Sequence, residues 1–370
     1  MKNKILFSLA IVMLLMFVPF NTALASTDVY TNKDLSLAQE SAQNYIEEMV
    51  LINPELSQWE KAKAVRPQAY YNLDGEINSY MFEIVGERGL AGYVFIGSSL
   101  YCYDMLESGT TVPPTITNPE MVQNVIEALG LKIDNADIGA PDKYIYTGVD
   151  GHYVLYTIKD LKVAVNLVSG EAVFASELNM TMTSPENYLA GKEETRISEP
   201  KATRSTGYNY LYAYYWTGSG RGWCGPCSGV SIGQYYRNFM GYDSLYGHED
   251  MYDDLYDEMN TLNGATFPTE YGPGFIAMTE NCGYSNFTFA NDWTVTHADY
   301  WTITSGIDSG WPTALEITSD WHWRVIKGYS YNTDNDYYYI MCTDSATHES
   351  AQMLNWDALG SGLFTCRIMD

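Results

Sequence analysis

The chain has 370 residues, with 46 acidic against 20 basic side chains and a formal net charge of −26. That balance argues against nucleic acid or an anionic membrane as a main partner, because either would be repelled. The length exceeds one average domain and suits two.

In chain order, Lys2 and Lys4 precede an apolar stretch from Ile5 to Phe20. Ala23-Leu24-Ala25 then offers a small-residue cleavage site before Ser26, the pattern of a secretory signal peptide over residues 1–25. Later apolar runs fall short of the roughly 20 residues a membrane span requires. The expectation is a secreted or extracytoplasmic protein with no membrane partner after signal removal.

From Asp34 to Leu51, the residues Leu35, Ala38, Ala42, Tyr45, Ile46 and Met49 return at helical spacing, with Asp34 or Ser36 as cap. The period then changes. Tyr70 to Leu73, Ser79 to Ile84 and Gly92 to Gly97 read as strands of a meander, with Asp74-Gly75 as a turn. A second helix, Pro119 to Leu129, precedes strands at Lys143–Thr147, His152–Ile158 and Lys162–Leu167. This part, residues 26–192, has no cluster of groups suited to chemistry, and His152 reads as a structural histidine among tyrosines. Its place between a signal peptide and a candidate enzyme suggests a pro-region that inhibits or assists folding. Residues 193–205 are polar, contain Pro200 and show neither period. They read as a linker, with Arg196, Lys201 and Arg204 as sites for maturation cleavage.

From Thr206 the chain is rich in tyrosine and carries 20 acidic against 5 basic residues. A glycine-rich loop, Gly218 to Gly222, leads into Trp223-Cys224-Gly225-Pro226-Cys227-Ser228 and the apolar-periodic Val230, Ile232, Tyr235, Tyr236 and Phe239. A cysteine therefore stands where a loop enters a helix, and the unpaired N–H groups there stabilise a thiolate. Of the six cysteines, five lie in this part, so pairing among them leaves one odd, as a free catalytic thiol would. Cys282, Cys342 and Cys366 read as disulfide partners or core thiols.

Tyr246 to Met259 reads as an acidic helix whose Asp253, Asp254, Asp257 and Glu258 form a solvated face rather than a metal site. His248 and His297 fall in polar segments and are expected at the surface. Asn332 to Asp336 lacks the glycine and terminal glutamate of an EF-hand and reads as a hairpin turn. Three strands follow Gly310-Trp311-Pro312, with His322 at the start of one and Asp344 at the end of the next. In an antiparallel pair those ends are neighbours, so the carboxylate can orient the imidazole, which can then take and return a thiol proton. The plainer alternatives are a buried strand histidine for His322 and a turn cap for Asp344, with His348 as a further polar candidate nearby.

Cys224-Gly225-Pro226 heading a helix that ends near Gln234-Tyr235-Tyr236, the strand after Gly310-Trp311-Pro312, His322 leading Trp323 to Tyr329, and Asp344 together resemble the papain-like cysteine peptidases of bacteria. The resemblance is to the broad group containing streptopain and the bacteriocin-leader-processing peptidases. The resemblance covers most of Tyr208 to Asp344. It implies an α+β, papain-like catalytic domain over residues 206–370, with a nucleophile helix packed on an antiparallel sheet. It further implies Cys224 as nucleophile, His322 as general base and acid, Asp344 as the orienting carboxylate, a peptide or protein substrate, and neither cofactor nor metal. The Cys224 backbone N–H supplies one oxyanion donor. The glutamine that usually supplies the other is absent from the window at Trp216-Thr217-Gly218, which leaves Ser219 or a loop amide. The papain and cathepsin pattern would instead make Cys227 the nucleophile, but it wants an aromatic residue where Ser228 stands. Tyr71 to Gly75 and Gly92 to Ile96 resemble the inhibitory pro-domains of streptopain-like peptidases, implying a zymogen whose pro-region is an intramolecular inhibitor.

Two other readings compete. Trp-Cys-Gly-Pro-Cys also matches the redox segment of thioredoxin-like oxidoreductases, with Cys224 attacking a disulfide and Cys227 resolving it. That fold brings an apolar strand directly into the motif, whereas a glycine-rich loop precedes it here, and the segment after Pro268 cannot continue as the required central strand. A papain-like fold that has lost activity and only binds peptides is the third reading.

Overall fold

The structure, a computed structural model, describes residues 32–111, 122, 127, 129–130, 140–149, 151–158, 160–168, 170–197, 206–213, 216, 223–261, 265–293, 295–317, 322–345, 349–359 and 363–370. The expected signal peptide, most of the Pro119–Leu129 helix, the cleavage sites at Lys201 and Arg204, Ser219 and His348 lie outside the described residues.

The helical period from Leu35 to Met49 folds as α1 (Asn32–Ile52), with Ala38, Ala42, Tyr45, Ile46 and Met49 buried. It starts before the expected cap. Asp34 falls in its first turn and accepts a hydrogen bond from the Tyr103 hydroxyl. Strands β1 (Lys63–Tyr71), β2 (Ile77–Gly86), β3 (Gly89–Gly97) and β4 (Met105–Gly109) form an antiparallel meander. β5 (Lys143–Tyr146), β6 (His152–Ile158), β7 (Leu161–Asn166) and β8 (Ala172–Phe174) continue the sheet.

Helix α2 (Pro185–Ile197) takes in residues 193–197 of the expected linker, and residues 198–205 lie outside the described residues. The polar sequence gives no periodic signal there. Tertiary bonds extend the helix instead: the Thr195 hydroxyl donates to Asp357 Oδ1 at 2.7 Å, and the Trp301 indole N–H donates to the Thr195 carbonyl at 2.8 Å.

After β9 (Thr206–Tyr210) come four helices: α3 (Cys224–Phe239), α4 (His248–Glu258), α5 (Pro268–Asn281) and, beyond β10 (Thr288–Asp292), α6 (Tyr300–Asp308). Five strands close the chain: β11 (Thr313–Ile317), β12 (His322–Asn332), β13 (Tyr337–Asp344), β14 (Glu349–Asn355) and β15 (Leu363–Met369). α3 is buried from Gly225 to Tyr236, and α4 packs so close that a Cβ on Gly233 would meet the Met251 sulfur at 2.4 Å. Any side chain at that position would require Met251 to shift.

Among the described residues every strand joins one open, mostly antiparallel sheet, in the order β10-β15-β11-β12-β13-β14-β4-β3-β2-β1-β5-β6-β7-β8, with β9 on β12. The fold is thus mixed α and β. The sheet passes from the earlier to the later part of the chain where β14 pairs with β4, Met353 opposite Ser108 and Leu354 opposite Glu107. α1 covers this seam. Its Tyr45 ring stands edge-on to Tyr339 at 5.8 Å, in one core with Met341 and Met353. Each such large apolar side chain contributes roughly 1.5–3 kcal/mol on burial. Across the same seam the buried Lys327 ammonium meets Glu55 at 2.8 Å, and the Tyr337 hydroxyl donates to Glu48 at 2.6 Å.

Candidate active site

α3 begins at Cys224, with Trp223 as the extended residue before it. The thiol therefore stands in the first turn, where N–H groups have no carbonyl a turn behind them and favour negative charge. Gly225 is required by what lies opposite: a Cβ there would sit 2.2 Å from the Thr266 hydroxyl. The Thr266 carbonyl in turn accepts the Trp323 indole N–H at 3.0 Å. Tyr271 of α5 stacks on Trp323 with ring centroids 4.3 Å apart, and its hydroxyl shares a 2.9 Å hydrogen bond with Ser228 of α3. These contacts hold the start of the cysteine helix against the start of β12.

β12 starts at His322 and β13 ends at Asp344. The antiparallel pairing, Val325 opposite Thr343, brings those two ends together. His322 Nε2 lies 2.7 Å from Asp344 Oδ1. The Cys224 thiol hydrogen-bonds to the imidazole, and with Nε2 given to Asp344 the ring atom left for it is Nδ1. Burial by itself would push the His322 pKa down, but the Asp344 charge and hydrogen bond, helped by Cys224, hold it well above the ordinary 6.5.

Cys224 is half-exposed and Cys227 fully buried. Burial, with Cys224 adding to it, pushes the Cys227 thiol up to about 12. Cys224 thus has both the partner and the access that a nucleophile needs, and Cys227 packs in the core. All six cysteines are free thiols. The disulfide option for Cys282, Cys342 and Cys366 is therefore corrected to thiols, Cys342 and Cys366 in the core and Cys282 half-buried.

Three features of the site had no counterpart in the sequence reading. Arg324, fully buried, donates from Nε to Asp344 Oδ2 at 3.1 Å, so Asp344 holds one cation on each oxygen. The only signal for it was a charged residue two positions after His322, on the same face of the strand. Ser345 hydrogen-bonds to Cys227. Glu316, paired with Trp323 across the β11–β12 ladder, is buried, and among the described residues neither of its carboxylate oxygens has a hydrogen-bond partner. Burial pushes it up to about 7.

The remaining histidines lie apart from this group. His248 is exposed. His297, expected at the surface, is largely covered, its Nδ1 3.5 Å from Asp357 Oδ1, and burial lowers its pKa. Its polar sequence neighbourhood conceals this because the cover comes from distant α2 and Asp357. His152 is buried, with Nε2 3.0 Å from Glu107 and its ring stacked on Phe95. Among the described residues no group of three or more His, Cys, Asp or Glu side chains is arranged to hold a metal ion. Asp253, Asp257 and Glu258 are exposed on α4.

Chemically, the Cys224–His322–Asp344 arrangement can deliver a thiolate to an electrophilic carbon and a proton to a leaving group. Compared with known proteins, the chain matches no family model and no curated sequence.

Proposed function

We propose that this chain is a papain-like cysteine peptidase. The observation that carries the reading is the Cys224 thiol at the start of α3, hydrogen-bonded to an imidazole whose Nε2 is 2.7 Å from Asp344. In this reading the Cys224 sulfur attacks a peptide carbonyl carbon, and the C–S bond forms as the carbonyl oxygen takes up charge beside the Cys224 N–H. The C–N bond then breaks as His322 gives its proton to the departing amine. Water, deprotonated by His322, attacks the thioester and releases the acid, and the thiol and imidazole are restored. Asp344 keeps the ring oriented throughout. Secretion as a zymogen, with residues 26–192 as the pro-region, belongs to the same proposal.

The thioredoxin-like reading has less support. It has no use for His322 and Asp344, burial pushes the Cys227 thiol that would resolve the mixed disulfide up to about 12, and Pro268 opens α5 instead of a strand. The test is an epoxide probe for papain-like thiolates together with hydrolysis of an unfolded protein substrate. Labelling of Cys224 that His322→Ala removes, with proteolysis that Cys224→Ala removes, is the expected result. Labelling that depends on His322 without hydrolysis would favour the inactive peptide binder. A reducible Cys224–Cys227 bond, with labelling indifferent to His322, would overturn the peptidase reading.

A further inference from the structure

Just after β5 the chain folds into a tight loop. The Thr147 N–H donates to the Gly151 carbonyl at 2.9 Å, and the Thr147 carbonyl accepts from the N–H groups of Thr181 and Met182 at 2.8 and 2.6 Å. Gly148 has φ +143°, and a Cβ there would lie 2.8 Å from the Met182 nitrogen, so a side chain would force the two segments apart. The Thr183 N–H then donates to the Ala358 carbonyl at 3.3 Å, which anchors the pair on the later part of the chain. What this bracing presents is Val149. It is the one described residue before Thr206 that belongs to the large core of the later part, the core that contains Cys227, Trp323 and Leu363. Val149, Thr181 and Met182 share the lining of one cavity with Ile317, Ala358 and Leu359.

Ile317 fixes where this contact lies. It stands opposite His322 in the β11–β12 ladder and opposite Leu363 in the β11–β15 ladder. Opposed residues of an antiparallel pair carry their side chains on one face, about 4.5–5.5 Å apart. The apolar ground that Val149 covers therefore adjoins the candidate catalytic imidazole, while the Cys224 thiol remains half-exposed. We propose that Ile317, Ala358 and Leu359 form a substrate subsite for an aliphatic side chain, and that Val149 occupies it in the full chain as the inhibitory contact of the earlier part. The proposal rests on the peptidase reading and adds to it the class of side chain accepted and the residue that stands in for it. A β-branched side chain on a braced loop loses little freedom on docking, so a small contact suffices to keep substrate out. The described lining carries no charged group, so an aspartate side chain would be buried there without a partner and rejected.

The test uses the full-length protein and Val149→Ala, with two readouts. Hydrolysis of an extended peptide with valines flanking the scissile bond should rise about tenfold, the worth of roughly two buried methyl groups. Alkylation of Cys224 by iodoacetamide, resolved from the other thiols by peptide mass spectrometry, should keep its wild-type rate because the thiol is already reachable. Glu55→Gln breaks the Lys327 contact between the two parts but lies outside this cavity, and it should change neither readout. Replacing the valines of the peptide by aspartate should abolish the gain. Should Val149→Ala fail to fold, Val149→Thr keeps the shape, exchanges one methyl for a hydroxyl and raises hydrolysis several-fold. A folded variant that hydrolyses the valine peptide at the wild-type rate overturns the proposal and leaves the peptidase reading standing. A gain shared by the aspartate peptide, or an equal gain in Glu55→Gln, also overturns it. If no form of the protein hydrolyses any peptide, the peptidase reading fails and the subsite is read from protection instead. The valine peptide should then slow Cys224 alkylation in Val149→Ala and not in the wild type, and the lack of that difference overturns the proposal as well.

Discussion

Two histidine–carboxylate pairs lie in this sheet, one in each part of the chain. His322–Asp344 and His152–Glu107 have similar geometry, 2.7 Å and 3.0 Å, both through Nε2, and both sit in strands. They differ in what the second ring nitrogen meets. The His152 Nδ1 is buried with no hydrogen-bond partner among the described residues, and its ring is enclosed by Phe95, Tyr146 and Tyr70. The His322 ring meets a half-exposed thiol at a helix start. The pair alone therefore makes no site. In the proposed reading, a half-exposed thiol beside the ring marks the pair that performs chemistry, while the other fixes a core.

The sharpest way to break the comparison is to remove the nucleophile. Cys224→Ala should lower hydrolysis of a peptide substrate by about 10⁴-fold or more with little change in unfolding temperature. Cys227→Ala should leave the pH profile of Cys224 alkylation unchanged.

Next in size is Asp344→Asn. The amide cannot support the imidazolium, and a drop in kcat/KM on the order of 10²-fold or more is expected. Because Arg324 loses its anion in the interior, unfolding should also become easier by about 3 kcal/mol or more. The pH dependence has a defined sign. The raised His322 pKa means that its folded-state pairing contributes fully below the unfolded value near 6.5 and is lost as pH rises through the folded value. Activity that depends on the imidazolium should fall on the alkaline side. In Asp344→Asn the alkaline limb should move down toward 6.5, as rate measurements across pH would reveal.

Glu316 separates burial from pairing. An acid raised from 4.5 to about 7 is protonated in the folded state between those values while the unfolded chain is ionised. Stability should therefore decline as pH rises from 4.5 to 7, by about 3 kcal/mol in all. Glu316→Gln should flatten that decline in denaturant titrations at pH 5 and pH 8.

The smallest effect belongs to the second pair. His152→Gln should cost about 1–3 kcal/mol in chemical denaturation while hydrolysis persists, because it removes a buried bond and not a reacting group. Abolished hydrolysis in a folded His152→Gln protein would make the two pairs functional equals.

How much of this was legible in the sequence follows from how local each feature is. The strands at Ser79–Ile84, Gly92–Gly97, Lys143–Thr147, His152–Ile158 and Lys162–Leu167 were readable from alternation and turn residues, and α1 from its period. β4 was missed, and the strand expected at Tyr70–Leu73 is the end of β1, which starts at Lys63. The start of α3 at Cys224 followed from a glycine-rich loop running into an apolar-periodic segment. The meeting of His322 and Asp344 followed from a hairpin, in which a strand's start and its partner's end must be neighbours. The choice between Cys224 and Cys227 was not legible. Three residues apart on a helix they share nearly the same side, and only the surrounding core decides that one is sealed and the other reachable.

The sequence by itself determined a helix headed by a cysteine, a histidine and a carboxylate at adjoining strand ends, and the mixed α and β character. Only the tertiary structure decided that Arg324 clamps Asp344, that β14 joins β4, and that Glu107 bonds Gln352 across a separation of 245 residues. The physical reason is range. Periodicity and turn chemistry act over a few residues, whereas a buried ion finds its counter-charge wherever packing of the whole chain places one.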